Sequence, residues 1–167
     1  MANISSVFGN ACIYAESADK AEKICNAINT VTSEFGYYTE FDIDENGKNI
    51  SEKKYSCSFQ ACGRWSYETN LENFGSWLDS SREKHLEIIE MLEKEDFRII
   101  LDFTDEECGC QFIYTACAEL IHKANTPIKD TEFNMLEKTF YDYTRKNLKV
   151  LCGYDDDYIN DMLDTED

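Results

Sequence analysis

Two stretches decide the fold: Tyr37-Tyr38-Thr39-Glu40-Phe41-Asp42-Ile43 and Tyr55-Ser56-Cys57-Ser58-Phe59-Gln60-Ala61. In the first, Tyr37, Thr39, Phe41 and Ile43 alternate with Tyr38, Glu40 and Asp42. In the second, Tyr55, Cys57, Phe59 and Ala61 alternate with Ser56, Ser58 and Gln60. Period two is the signature of a strand with one buried face. Between them lies Asp44-Glu45-Asn46-Gly47-Lys48, whose Asn-Gly is a strong short-range turn signal. The pair reads as a β-hairpin.

Working outward, Asn10 to Ala15 is short, apolar and bounded by polar residues, as a strand is. Ser17 then reads as a helix N-cap, with Ala21, Ile24, Cys25, Ile28 and Val31 at helical spacing and Gly36 at the C-cap. After the hairpin, Leu71, Phe74, Leu78, His85, Ile89 and Leu92 predict one kinked helix or two, with Ser80-Ser81-Arg82-Glu83 as a capping box. Phe97, Ile99, Leu101 and Phe103 predict a further strand. Asp105-Glu106-Glu107-Cys108-Gly109 reads as a turn, and Cys110 to Cys117 as an added strand.

Pro127 is the only proline and marks a boundary between a body (1–126) and an acidic helical extension (127–167). In the extension, Phe133, Leu136, Phe140 and Tyr143 predict an amphipathic helix. Val150-Leu151-Cys152 predicts a short strand or loop. Asp155 is placed to cap a last helix carrying Tyr158, Ile159, Met162 and Leu163. The order strand, helix, strand, strand, helix, strand predicts an α+β fold: a ferredoxin-like split βαβ (βαββαβ) antiparallel sheet of order 4-1-3-2. An added edge strand and C-terminal helices complete it.

The chain's 167 residues carry 34 acidic and 16 basic side chains, a net charge of −18. This excludes a protein that holds nucleic acid by its phosphates, or one that binds an anionic membrane surface, since both need Lys and Arg. Hydrophobic residues are 43% of the chain, enough for a core and too many for a disordered acidic tail. No basic n-region and apolar h-region opens the chain, and no apolar run approaches the ~18 residues of a membrane span. The eight cysteines then read as reduced thiols of a cytoplasmic protein.

The strand that runs into Gly63-Arg64-Trp65-Ser66-Tyr67-Glu68, together with the order of elements, resembles the ferredoxin-like proteins carried by phages and plasmids, the YubB type. The resemblance spans residues 10 to 104 and implies a mobile-element setting, with no defined activity to carry over.

Several constellations invite a chemical reading. Asp42-x-Asp44-x-Asn46-Gly47 opens like a calcium loop, but its twelfth position is Lys53 and it follows a strand pattern. Asp44 with Glu52-Lys53-Lys54 has the residue types of a two-metal nuclease core without a basic surface to hold substrate. Cys57, Cys62, Cys108, Cys110 and Cys117 contain no C-x-x-C, and His85 and His122 stand apart from them. Trp65, Tyr67, Phe74 and Trp77 read as core packing or as a partner-binding patch. No cofactor or metal is implied.

Charge is the most informative feature. Residues 1–60 hold 9 acids and 5 bases, residues 61–128 hold 14 and 6, and residues 129–167 hold 11 and 5, so the excess is spread. It concentrates at Asp102, Asp105, Glu106 and Glu107, and at Asp155, Asp156, Asp157, Asp161 and Asp164, where no base follows Lys149. Carboxylates held on a folded surface can imitate nucleic-acid phosphates and steer a protein onto a basic groove. These observations point to a non-catalytic inhibitor from a mobile element. Its partner would be a basic protein, a nucleic-acid-binding enzyme, as for anti-CRISPR and anti-restriction proteins, which it resembles in size and charge. The alternatives are a small metal-dependent hydrolase or nuclease using Asp44 and Glu52, and an accessory domain binding a small ligand on an open sheet face.

Overall fold

The computed structural model describes residues 4–35 and 38–164, the side chain of Asp164 excepted. Within them the fold is α+β, with a seven-stranded antiparallel open sheet and six α-helices. The strands are β1 (Ile4–Tyr14), β2 (Thr39–Phe41), β3 (Lys48–Asn49), β4 (Lys54–Arg64), β5 (Phe97–Glu107), β6 (Phe112–His122) and β7 (Glu132–Asp142). The helices are α1 (Ala18–Thr32), α2 (Tyr67–Glu72), α3 (Phe74–Ser80), α4 (Leu86–Glu93), α5 (Arg145–Leu151) and α6 (Asp156–Asp164). The strand order is β2-β4-β1-β5-β6-β7, with β3 paired to β4 beside it.

Local chemistry accounts for most of these elements. Ser17 caps α1 by accepting the Lys20 amide at 3.2 Å, and Ala21, Ile24, Cys25, Ile28 and Val31 form its buried stripe. The C-cap is Ser33; Gly36 and Tyr37 lie outside the described residues. The turn after β2 is a short 3₁₀ segment in which Asp44 accepts the Asn46 amide at 2.8 Å.

The region after β4 breaks into three helices. Ser66 caps α2, and α3 ends at Ser80. Ser80-Ser81-Arg82-Glu83 therefore starts no helix. The Lys84 and His85 amides close turns on the Ser81 carbonyl, each at 3.0 Å, and the Arg82 guanidinium is drawn to Asp79 and Glu93.

Three further expectations are corrected. Residues 105 to 107 do not turn: β5 runs through Glu107, pairing with Phe112, and the reversal falls on Cys108–Cys110 with Gln111 at φ 54°. Phe133 to Asp142 is strand β7 and not a helix. β7 bulges at Leu136, since Ala118 pairs with Met135 and Cys117 with Glu137. Inserting one residue moves the inward positions from Phe133 and Met135 to Lys138 and Phe140, which breaks the period of two that marks a strand. Val150 and Leu151 end α5, where Leu148 and Leu151 share one face.

One face of the sheet carries the main core. Tyr55, Phe59, Ile13, Ile99, Leu101 and Phe103 meet Ile24, Ile28, Leu71, Leu78, Ile89 and Leu92 from the helices, and Tyr67 stands edge-on to Phe103 at 5.3 Å. Each fully buried side chain contributes about 1.5–3 kcal/mol. The other face is open except at one end, where α5 and α6 pack over Ile113 through Leu148 and Ile159.

β7 is an edge strand, blunted by its bulge and by Lys138, which points inward over the Tyr114 ring at 4.1 Å and pairs with Glu68 at 2.5 Å. No described helix is long and apolar enough to cross a membrane.

Gly9 of β1 lies opposite Phe59 of β4 and Phe103 of β5. A Cβ built there lies 2.0 Å from the Asp102 carbonyl oxygen and 2.7 Å from the Phe103 Cα. Gly9→Ala should therefore lower unfolding stability by about 1–3 kcal/mol in a urea titration, because the obstacle is backbone. Unchanged stability would show that the two strands part readily.

Candidate functional site

The open face is built by strand alternation. On it, Asn10 of β1 lies between Ser58 of β4 and Asp102 of β5, and Asp102 is followed by Cys117 of β6 and Glu137 of β7. The next row holds Gln60, Phe8, Thr104, Thr115 and Thr139. Phe8, Asn10, Asp102, Thr104, Thr115 and Glu137 line a shallow groove of about 430 Å³. A second groove on the other side of Phe8 is lined by Glu40, Asp42, Ser58 and Gln60.

The Ser58 hydroxyl donates to Asp42 at 3.2 Å and the Gln60 amide to Glu40 at 3.1 Å, which fixes two of the carboxylates. Neighbouring strands are about 4.8 Å apart, so Asp102 and Glu137 stand roughly 10 Å from each other. None of Glu40, Asp42, Asp102 and Glu137 is ion-paired among the described residues. The bases at the far end of the face are already engaged, Arg98 by Glu119 at 2.6 Å and Lys54 by Glu52 at 2.5 Å.

The acids expected to form one charged surface separate into three environments. Asp102 is exposed on the open face. Asp105, Glu106 and Glu107 are 0%, 3% and 3% exposed, so the solvated acidic turn expected there is absent. Asp155, Asp156, Asp157 and Asp161 are exposed on and before α6, and Asp164 ends that helix. Asp155 caps α6, accepting the Tyr158 amide at 2.8 Å. Asp156 pairs with Lys149 at 2.7 Å, which holds its carboxyl below the usual range. Because α6 packs at one end of the open face, its acids and Asp102 belong to the same side of the molecule.

The buried acids are held by tyrosines. On the helix-covered face, Asp105 accepts the Tyr67 amide at 2.9 Å and the Tyr114 hydroxyl at 2.5 Å, both on Oδ2. Its Oδ1 and the hydroxyl of neighbouring Ser5 are buried outside hydrogen-bond geometry. On the opposite face, Glu106 accepts the Tyr143 hydroxyl at 2.6 Å and the Tyr154 hydroxyl at 3.4 Å. Burial pushes both carboxyls above their ordinary values, against the lowering effect of these donors.

Glu40, Asp42 and Glu137 are the positions that sequence reasoning did not assign to a binding surface. The first two were legible as the polar phase of an alternating strand. Glu137 was hidden by the helical spacing of its neighbours.

The metal readings find no geometry. Asp44 is spent on its own turn, accepting from both nitrogens of Asn46 at 2.8 and 2.9 Å. Glu52 is held by Asn49 at 2.8 Å and by Lys54. Among the described residues no group of three His, Cys, Asp or Glu is placed to hold a metal ion. All eight cysteines are free, with Cys25 buried and Cys108 and Cys110 exposed. The aromatic group divides: Tyr67 and Phe74 are core, whereas Trp65 is 56% exposed at φ 76° with the Arg64 guanidinium 5.9 Å from its ring.

Asp105 gives a testable pH dependence. A carboxyl whose folded value is raised adds stability that is complete below its unfolded value, near 3.8, and lost as pH rises through the folded one. Asp105→Asn keeps an oxygen for Tyr67 and Tyr114 and removes that loss. The variant should gain on the wild type between about pH 4 and pH 8, by about 1.4 kcal/mol per unit of upward shift. Parallel stability curves in denaturant titrations would contradict the raised value. No protein-family profile matches the chain, and no curated protein or solved structure is detectably similar to it.

Proposed function

We propose that this is a non-catalytic binding protein that offers carboxylates on its open sheet face and on α6 to a basic partner. One observation carries the reading: Asp42, just past β2 and bonded to Ser58, stands in one row with Asp102 of β5 and Glu137 of β7, and none of the three is ion-paired among the described residues. Rigid, preorganised charge favours fast electrostatic association and costs little ordering on binding. Asp155, Asp157 and Asp161 extend the same negative side, while Asp105, Glu106 and Glu107 act within the fold.

The sharper form is a mimic that occupies the basic nucleic-acid groove of a defence nuclease, in the manner of anti-CRISPR or anti-restriction proteins from mobile elements. The finer fold reading is the ferredoxin-like split βαβ. It is supported by the adjacency β2-β4-β1-β5, with α1 following β1 and α2 to α4 linking β4 to β5.

The test compares wild type with the triple variant Asp42→Lys, Asp102→Lys, Glu137→Lys, each immobilised and exposed to cell lysate. Wild type should retain nucleic-acid enzymes that competing duplex DNA releases, with association slowing as salt is raised. The variant should lose them. An identical retained set on both columns would sink the proposal.

A further inference from the structure

α5 and α6 are tied to each other more fully than to the sheet. Lys149 and Asp156 pair at 2.7 Å, Arg145 donates to the Asn160 side chain at 2.6 Å, and the Tyr154 and Tyr158 rings meet edge-on at 4.8 Å. Their contact with the rest of the molecule is a small apolar cluster, separate from the main core. It is centred on Ile113, Leu148 and Ile159 and flanked by Tyr141, Tyr143, Leu151 and Cys152. The chain enters this unit through a short turn at Asp142–Thr144, closed by the Thr144 amide on the Asp142 carbonyl at 2.9 Å. Under the unit lies the Glu106 carboxyl, whose two hydrogen-bond donors, Tyr143 and Tyr154, both belong to the segment that covers it.

We propose that residues 143–164 form a hinged flap latched on the Glu106 carboxyl, which opens to extend the open sheet face. Closed, the flap covers Glu106, Ile113 and Tyr141, which share one row across the sheet. That row is one step along the strands from the groove row Phe8, Thr104, Thr115 and Thr139. Opening joins Ile113, Tyr141 and the Glu106 carboxyl to a carboxylate-lined groove. This device does not depend on what the groove binds.

The latch has a definite electrical character. The groups facing Glu106 are the hydroxyls of Tyr143 and Tyr154, the Cys152 thiol and, through the sheet, Asp105; Cys108 reaches it through Tyr143. None of them is a cation. A neutral Glu106 is therefore accommodated, whereas a charged one is buried beside a second acid without a counter-ion. The sign follows: docking is strongest below the ordinary glutamate value of 4.5 and weakens as pH rises through the raised folded value.

Hydrogen exchange on the whole chain, expressed as protection factors so that intrinsic rates cancel, tests this. Between about pH 5 and about pH 9, protection over 145–163 should fall about tenfold or more, with β1 and β5 changing less than about twofold. Glu106→Gln keeps an acceptor for the tyrosines and should abolish the difference. Leu148→Ala should release the flap at both pH values while the strands keep their protection. The proposal is overturned if 145–163 exchange together with the strands at every pH. It is equally overturned if the Gln variant keeps the full pH dependence, or if Leu148→Ala unprotects the strands as well.

Discussion

β1 makes backbone hydrogen bonds on both its edges, and every other layer is placed by that double pairing. On one side it runs antiparallel to β4, from Ile4 opposite Arg64 to Tyr14 opposite Lys54; on the other it pairs with β5 from Ser6 to Tyr14. These two ladders fix which residues share a face. They send Val7, Ala11 and Ile13 under the helices and Phe8, Asn10 and Cys12 to the open side. A slip of one residue in either ladder would bury Asn10 and Asp102 and expose the core, so register and surface chemistry are one constraint.

That constraint explains where the charge of −18 resides. The helix-covered face accepts acids only where hydroxyl and amide donors surround them, as Tyr67 and Tyr114 surround Asp105. The open face and α6 take the rest. The bases are themselves committed to some of the acids, in pairs such as Lys20 with Glu16 and Glu95, and Lys48 with Asp19 and Glu22. Exposed pairs of this kind add little stability. They do decide which carboxylates face a partner unaccompanied, and Asp102 and Glu137 are among these.

The sequence was legible where one physical pattern ruled a segment. Alternation in 55–61 and 97–103, and the capped stripe of α1, required no tertiary knowledge. It was misleading where distant groups supplied what the local pattern lacked. Asp105-Glu106-Glu107 has the composition of a turn, and it is a buried strand in which tyrosines from α2, β6 and the C-terminal segment donate to two of the three acids. β7 misled for a different reason: the bulge at Leu136 removes the period of two that would reveal a strand. The candidate surface shared this fate. Half of it lies in readable strands, and Glu137 comes into line with Asp102 only once β7 has joined the sheet.

The double pairing of β1 also orders events in time. β5, β6 and β7 are consecutive and joined by short connections, so they close on one another soon after they are made. β1 is synthesised before both its partners, which end at Arg64 and Glu107. On the ribosome, the strand on which the sheet is organised keeps at least one edge unpaired until β5 has emerged. The long-range half of the sheet is completed only once Glu107 has emerged.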